Sequence, residues 1–215
     1  MDLNRRHKLT KEETEHVKKI TNSGRLYYDY DPLIESARNF AYETCRRYNR
    51  HETDIDELRA LFEKLGKNPS IADGFITEFG FNLSIGDDFD AGCGLKIIDC
   101  NEVSIGNNVT IGENVGIYTS NHAKDPKLRC DHWCSELPIR IGNNVVIESN
   151  SVVLPGLSVF RFSFMFRERF SFATLCIVNR LFPVFVIFKV CFLAVFPLMI
   201  PKSMTLLDSS MCPAF

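Results

Sequence analysis

The sequence predicts a mainly β protein, a parallel β-helix of six-residue repeats preceded by two short α-helices and followed by an atypical hydrophobic tail. Three observations lead there. Aliphatic residues recur on every sixth position in three separate runs: Ile85, Ala91 and Ile97, then Ile105, Ile111 and Ile117, then Ile141, Ile147 and Val153. Between them stand Gly, Asn and Asp, as at Asn107-Asn108 and Asn143-Asn144, residue types that tolerate left-handed backbone at tight corners. Composition then changes abruptly near Gly156. All twelve glycines lie at or before it, and the last 59 residues hold twelve of the eighteen phenylalanines. A period of six fits neither a 3.6-residue helix nor a simple hairpin meander, and it is the mark of short strands wound into stacked coils. An ordinary β-sandwich would need three coincident runs in one register.

Residues 1–23 read as a charged N-terminal segment without the apolar run of a secretory signal, which implies a cytoplasmic protein. Residues 24–68 read as helical. Asp31-Pro32 supplies an N-cap and a proline at the first helical position, and Leu33, Ala37, Ala41 and Cys45 follow at intervals of four. A second helix is expected from about Thr53, with Ile55, Leu58, Phe62 and Leu65 on one face and Gly66 as its stop. Such narrow stripes bury little alone, so both helices are expected to pack against one end of the β structure. Residues 69–156 form the β-helix, with Val109, Val115 and Val145 keeping the inward alternation of a strand. The beat slips by two residues between Ile97 and Ile105 and is suspended between Ile117 and Ile141. That second gap, 118–138, reads as a loop ejected from the coil, with Pro126 and Pro138 near its ends, and loops on rigid scaffolds are where function concentrates.

Charge and cysteine usage narrow the classes. Residues 1–156 carry 19 Lys and Arg against 25 Asp and Glu, so the body is acidic and lacks the basic stripe that nucleic acid requires. Eight scattered cysteines without an export signal read as reduced thiols. Cys130, His132 and Cys134 match no standard zinc spacing, and no metal is predicted. A β-helix carbonic anhydrase would need three zinc histidines, whereas His122 and His132 are the only two in the repeat region.

Taken in order, GRLYYDYDP from Gly24, FGFNLSIGDDF from Phe79, IYTSNHAKDPKLR from Ile117 and PIRIGNNVVIESNSVVLPG from Pro138 resemble the maltose/galactoside O-acetyltransferase family of hexapeptide-repeat acyltransferases, over about residues 24–156. The resemblance implies a left-handed parallel β-helix and a homotrimer with sites between subunits. It also implies transfer of an acetyl group from acetyl-CoA to a sugar hydroxyl of the maltose, glucose or galactoside class. By the same resemblance His122 is the general base, a role suited to an imidazole because its ordinary titration near about pH 6.5 lets it take a hydroxyl proton. Asp29 and Asp99 fall at acceptor-binding positions. Glu136 stands as the residue orienting His122, two positions closer to the following proline than in the family. On the donor side Ser149 matches a residue lining the CoA channel, and Val146 replaces the family's tryptophan, while the one Trp of this chain is Trp133. The alternative is a non-catalytic β-helix acting as an assembly or sugar-binding protein, favoured if the final coils are missing.

The tail, 157–215, departs from the family after LPG. Three readings stand beside each other. A membrane anchor over 173–200 is opposed by Asn179, Arg180 and Lys189 within it. A replacement subdomain is opposed by the lack of glycine. An aberrant coding segment fits the abruptness of the break, and a Phe-rich tail, if translated, is expected to drive aggregation or membrane association.

Overall fold

The computed structural model describes residues 8–162 and the strand 174–178. The chain opens with α1 (Lys11–Thr21), a two-residue strand β1 (Tyr27–Tyr28), α2 (Pro32–Asn49) and α3 (Ile55–Leu61). Helix α1 was not legible as a helix. A capping box starts it, in which the Thr10 side chain accepts from Glu13 N and the Glu13 carboxylate accepts from Thr10 N. Asp31 caps α2 as the Asp-Pro pair predicts, accepting from Leu33 N and Ile34 N.

The second predicted helix is shorter than expected. It ends at Leu61, Phe62 is already extended, and Lys64–Leu65 is strand β2. The reason is the sheet. Leu65 pairs with Ile85, and Gly66 N donates to Ile85 O at 3.0 Å, so these residues gain a ladder and core burial that another helical turn would forfeit.

Three parallel sheets then stack. Their strands are β3 (Ser70–Ile71), β4 (Ile76–Thr77), β5 (Leu83–Ile85), β6 (Phe89–Ala91), β7 (Lys96–Ile98), β8 (Val103–Ile105), β9 (Val109–Ile111) and β10 (Gly116–Tyr118). An excursion follows, made of β11 (Ser120–His122), α4 (Pro126–Cys130) and β12 (Trp133–Glu136). The coil resumes with β13 (Ile139–Ile141), β14 (Val146–Ile147), β15 (Val152–Val153) and β16 (Ser158–Phe162), which pairs antiparallel with β17 (Thr174–Val178). One face reads β13-β8-β5-β2, the second β14-β9-β6-β3 and the third β15-β10-β7-β4. The result is a parallel β-helix whose every coil adds one strand to each face.

The six-residue beat is the inward row. Ile85, Ala91, Ile97, Ile105, Ile111, Ile117, Ile141, Ile147 and Val153 are all buried in one continuous cluster with Phe75, Phe89, Val109 and Val145. Corners are sealed by side chains reaching to the next coil. Asp87 Oδ1 accepts from Lys67 N, Asn107 Oδ1 from Asp87 N and Asn143 Oδ1 from Asn107 N, each at 2.8 Å. Asn68, Asp88, Asn108 and Asn144 take positive φ at these corners. The glycine before such a corner is required by closeness: a Cβ on Gly106 would sit against Asn143 Oδ1 and 2.7 Å from Gly142 C.

The helices close one end of the stack. Ala41 and Cys45 of α2 and Leu58 and Leu61 of α3 join the same cluster as Ile71 and Phe75 of the first coil. Asn49, at the end of α2, accepts from Gly74 N and Phe75 N and donates to Phe75 O, so the helix terminus satisfies the backbone of the first open coil. No helix among the described residues is long and apolar enough to cross a membrane. The anchor and subdomain readings of the tail fall largely outside the described residues.

The inward row sets the stability. Ile117→Ala is expected to cost about 2–5 kcal/mol because the site is fully buried and cannot collapse between fixed coils. Thr110→Ala, on the exposed face of β9, is expected to stay within about 0.5 kcal/mol. Urea unfolding of both variants measures the difference, and equal midpoints would refute this account of the core.

Candidate active site

The stretch expected as a loop is a small structure of its own. Strands β11 and β12 pair antiparallel, and β1 joins the far side of β12, giving a three-stranded sheet ordered β1-β12-β11. Asp125 caps the intervening α4, accepting from Lys127 N and Leu128 N. The register puts Tyr27, Cys134 and His122 in one cross-strand row, with Tyr28 opposite Trp133 in the next. This sheet draws the N-terminal motif and the His122 segment together, and a second core cluster beneath it contains Val17, Tyr27, Ile34, Ala37, Phe79, Cys100 and Cys134.

His122 stands exposed on the outer strand of this sheet. Its ring contact is Cys134, with Sγ 3.6 Å from Nδ1. No hydrogen bond joins it to Glu136 among the described residues, where the resemblance implied an orienting contact. Glu136 lies opposite Ser120 in the register, and its Oε1 accepts from Tyr27 Oη at 2.8 Å and Ser120 Oγ at 3.0 Å. Its Oε2 is buried and has no hydrogen-bond partner among the described residues. Burial raises this carboxyl to about 7, against the opposing pull of the Tyr27 and Ser120 hydrogen bonds.

Asp29 lies just past β1, its amide donating to His132 O at 3.0 Å. Arg38 of α2 grips its carboxylate, with Nη2 at 2.9 and 3.1 Å from the two oxygens. The same guanidinium meets Glu35 and Glu78, and Glu78 Oε2 accepts from Tyr42 Oη at 2.6 Å. Burial alone would lower Arg38, but Glu78, Asp29 and Glu35 outweigh it and hold the guanidinium above its ordinary value. Asp29 is therefore a fixed, partly exposed carboxylate. Arg38 escaped the sequence reading, although its place about two turns into the helix that Asp31-Pro32 starts, nine residues after Asp29, was a usable signal.

Asp99 differs from expectation in its surroundings. It is 0% exposed, and its carboxylate oxygens are taken up by Thr77 Oγ1 and by the amides of Glu78, Phe79 and Gly80 at 2.7–2.9 Å. Burial raises it, opposed by the Phe79 amide and the Thr77 hydroxyl. No oxygen is left facing solvent. Around Asp29 an aromatic group gathers instead: Tyr28 and Tyr30 have ring centroids 5.9 Å apart, Tyr28 and Trp133 6.4 Å, and Tyr30 and His132 4.4 Å edge-on.

Residues 22–65 match the maltose acetyltransferase hexapeptide capping motif. Nodulation protein L of Rhizobium meliloti (strain 1021) is 33% identical over 63% of this chain and 77% of its own length. The chain belongs to the maltose/galactoside O-acetyltransferase family. A maltose O-acetyltransferase from Clostridium difficile 630 superposes with a TM-score of 0.59 at 27% identity, over 66% of this chain and 91% of that one. A galactoside acetyltransferase solved in complex with coenzyme A gives a TM-score of 0.55 at 25% identity, over 69% and 86% of the two chains.

Within this family member the two predicted donor-side residues lie apart from the three-stranded sheet. Val146 is 53% exposed on β14, and Ser149 follows at the next corner, its Oγ accepting from Glu113 N at 2.9 Å. Among the described residues no group of three or more His, Cys, Asp or Glu side chains is gathered to hold a metal ion.

Glu136 makes stability depend on pH in a definite direction. Its carboxyl rises from 4.5 to about 7 on folding, so across that window the unfolded chain releases a proton that the folded chain keeps, and stability falls as pH rises. Glu136→Gln removes this contribution. Thermal unfolding at about pH 5 and about pH 8 is expected to show a smaller loss of Tm in the variant than in the wild type, and equal losses would show that Glu136 is not the source.

Proposed function

We propose that this chain is an O-acetyltransferase that moves an acetyl group from acetyl-CoA to a hydroxyl of a maltose-, glucose- or galactoside-class sugar, with His122 as general base. The observation that carries the reading is the β1-β12-β11 sheet, which presents an exposed imidazole on the same small surface as the Arg38-held carboxylate of Asp29. Family membership and the CoA-bound structural relative support the donor.

The chemistry asks for two things that these residues offer. A sugar hydroxyl is a weak nucleophile until its proton is taken as it attacks the thioester carbonyl; His122 accepts that proton, the acetyl C–O bond forms, the C–S bond breaks, and the proton passes to the departing thiolate. Asp29, fixed by Arg38, accepts hydrogen bonds from sugar hydroxyls, and the rings of Tyr28 and Trp133 give a sugar an apolar face to lie against. Asp99 holds the turn at residues 77–80 from inside and makes no sugar contact in this proposal. On the donor side, the exposed side chain of Val146 on β14 offers an apolar contact to a pantetheine arm, with Ser149 as the polar residue at the following corner. Exposed Val152 and Leu154 are suited to a homotrimer contact, and the proposed compartment is the cytoplasm.

Release of CoA with maltose, glucose and galactosides tests the reading. His122→Ala is expected to lower kcat by about 10²- to 10⁴-fold without altering thermal unfolding. Equal rates in variant and wild type would remove His122 from the mechanism, and absence of saturable CoA binding by the wild type would favour a non-catalytic β-helix.

A further inference from the structure

The sequence pointed to a glutamate as the group that orients His122, yet the ring meets a thiol. Cys134 lies directly across the β11–β12 ladder from His122 and directly across β12–β1 from Tyr27. It is 5% exposed and packed in the cluster with Val17, Ile34, Ala37, Phe79 and Cys100, whereas His122 is exposed. One partner is anchored and the other reaches outward. Their Sγ–Nδ1 separation of 3.6 Å lies within the range of a sulfur hydrogen bond.

We infer that Cys134 is the positioning residue for His122, its sulfur accepting a hydrogen bond from Nδ1–H so that Nε2 keeps its lone pair for the sugar hydroxyl. The inference rests on His122 being the general base. Glu136 cannot take this part from its present place. It faces the same side of β12 two residues along, but its Oε1 accepts from Tyr27 and Ser120 and its Oε2 is buried without a hydrogen bond to the ring, which meets Cys134 instead. Burial, with Asp29 and Glu136 adding to it, pushes the Cys134 thiol up to about 11, so it stays neutral across the physiological range. A neutral sulfur is a weak acceptor and a weak donor. It fixes the ring and selects a tautomer, and it brings no countercharge to the imidazolium that forms during transfer. Cys134 thus supplies orientation to the ring without charge.

Histidine labelled with 15N in the full chain, with the His122 signals identified by their loss in His122→Gln, reads the tautomer directly. The wild type is expected to carry its proton on Nδ1, Cys134→Ser to retain that state, and Cys134→Ala to show mixed tautomers. In turnover, Cys134→Ala is expected to lose about three- to tenfold in kcat with KM unchanged, and Cys134→Ser to recover most of it. A wild-type ring protonated on Nε2, or Cys134→Ala with wild-type tautomer and kcat, would overturn the inference. If Cys134→Ala does not fold, the wild-type and Cys134→Ser signals decide alone. Retained turnover in His122→Ala would remove the base reading itself, whereas lost turnover in His122→Ala with a wild-type tautomer in Cys134→Ala would remove only the role of Cys134.

Discussion

Coil-to-coil register is the constraint on which the molecule depends. Leu83, Ser84 and Ile85 lie over Val103, Ser104 and Ile105, and the same exact superposition of strand on strand recurs on the other two faces. With strands about 4.8 Å apart, each inward side chain must fit between the one below and the one above, and each corner must turn without a Cβ in the way. Aliphatic residues on the beat, asparagine or aspartate at the turn and glycine beside it are three answers to that single requirement. Stability then accrues coil by coil.

A lattice so regular has no room for an extra segment inside it, and the chain accommodates one by leaving. After Tyr118 it departs and returns at Ile139, which pairs with Val103 as though nothing intervened. Corner partners a coil apart are 20 residues apart at Asn68 and Asp88 but 36 apart at Asn108 and Asn144, so the whole excursion is stored in one coil. Outside the lattice, β11 and β12 have free edges, and β1 takes one of them. That pairing places an exposed imidazole, a neutral buried thiol and a buried carboxyl along one side of a two-strand ladder, beside a carboxylate clamped by arginine.

The beat and the Asp31-Pro32 cap were legible because each rests on residues close in sequence. Every aliphatic on the three runs of six is buried, and Asp31 caps where an Asp-Pro pair should. Leu65 was misread because an apolar residue three positions after Phe62 fits a helical stripe, while it also fits the first beat of the β-helix; the ladder to Ile85 decided between them. Helix α1 was hidden by its charge, since Val17 is the one fully buried apolar residue on it. Cys134 and Glu136 illustrate a deeper limit. Residues two apart on a strand face the same way, so alternation cannot choose between them, and only the register with β11 shows which one meets His122. Arg38 was missed for a similar reason, because Glu78 is 40 residues from it in the chain.

The hydrogen bond from Tyr27 to Glu136 spans 109 residues. During synthesis the strand β1 that completes the three-stranded sheet is therefore made early, well before the coils that will present its partner β12. Local assembly of the solenoid can run ahead, but closure of this sheet carries the high loop entropy of a distant contact. Closure of the three-stranded sheet thus has to await β12, and a chain arrested before Trp133 would possess a cap and the first coils without it.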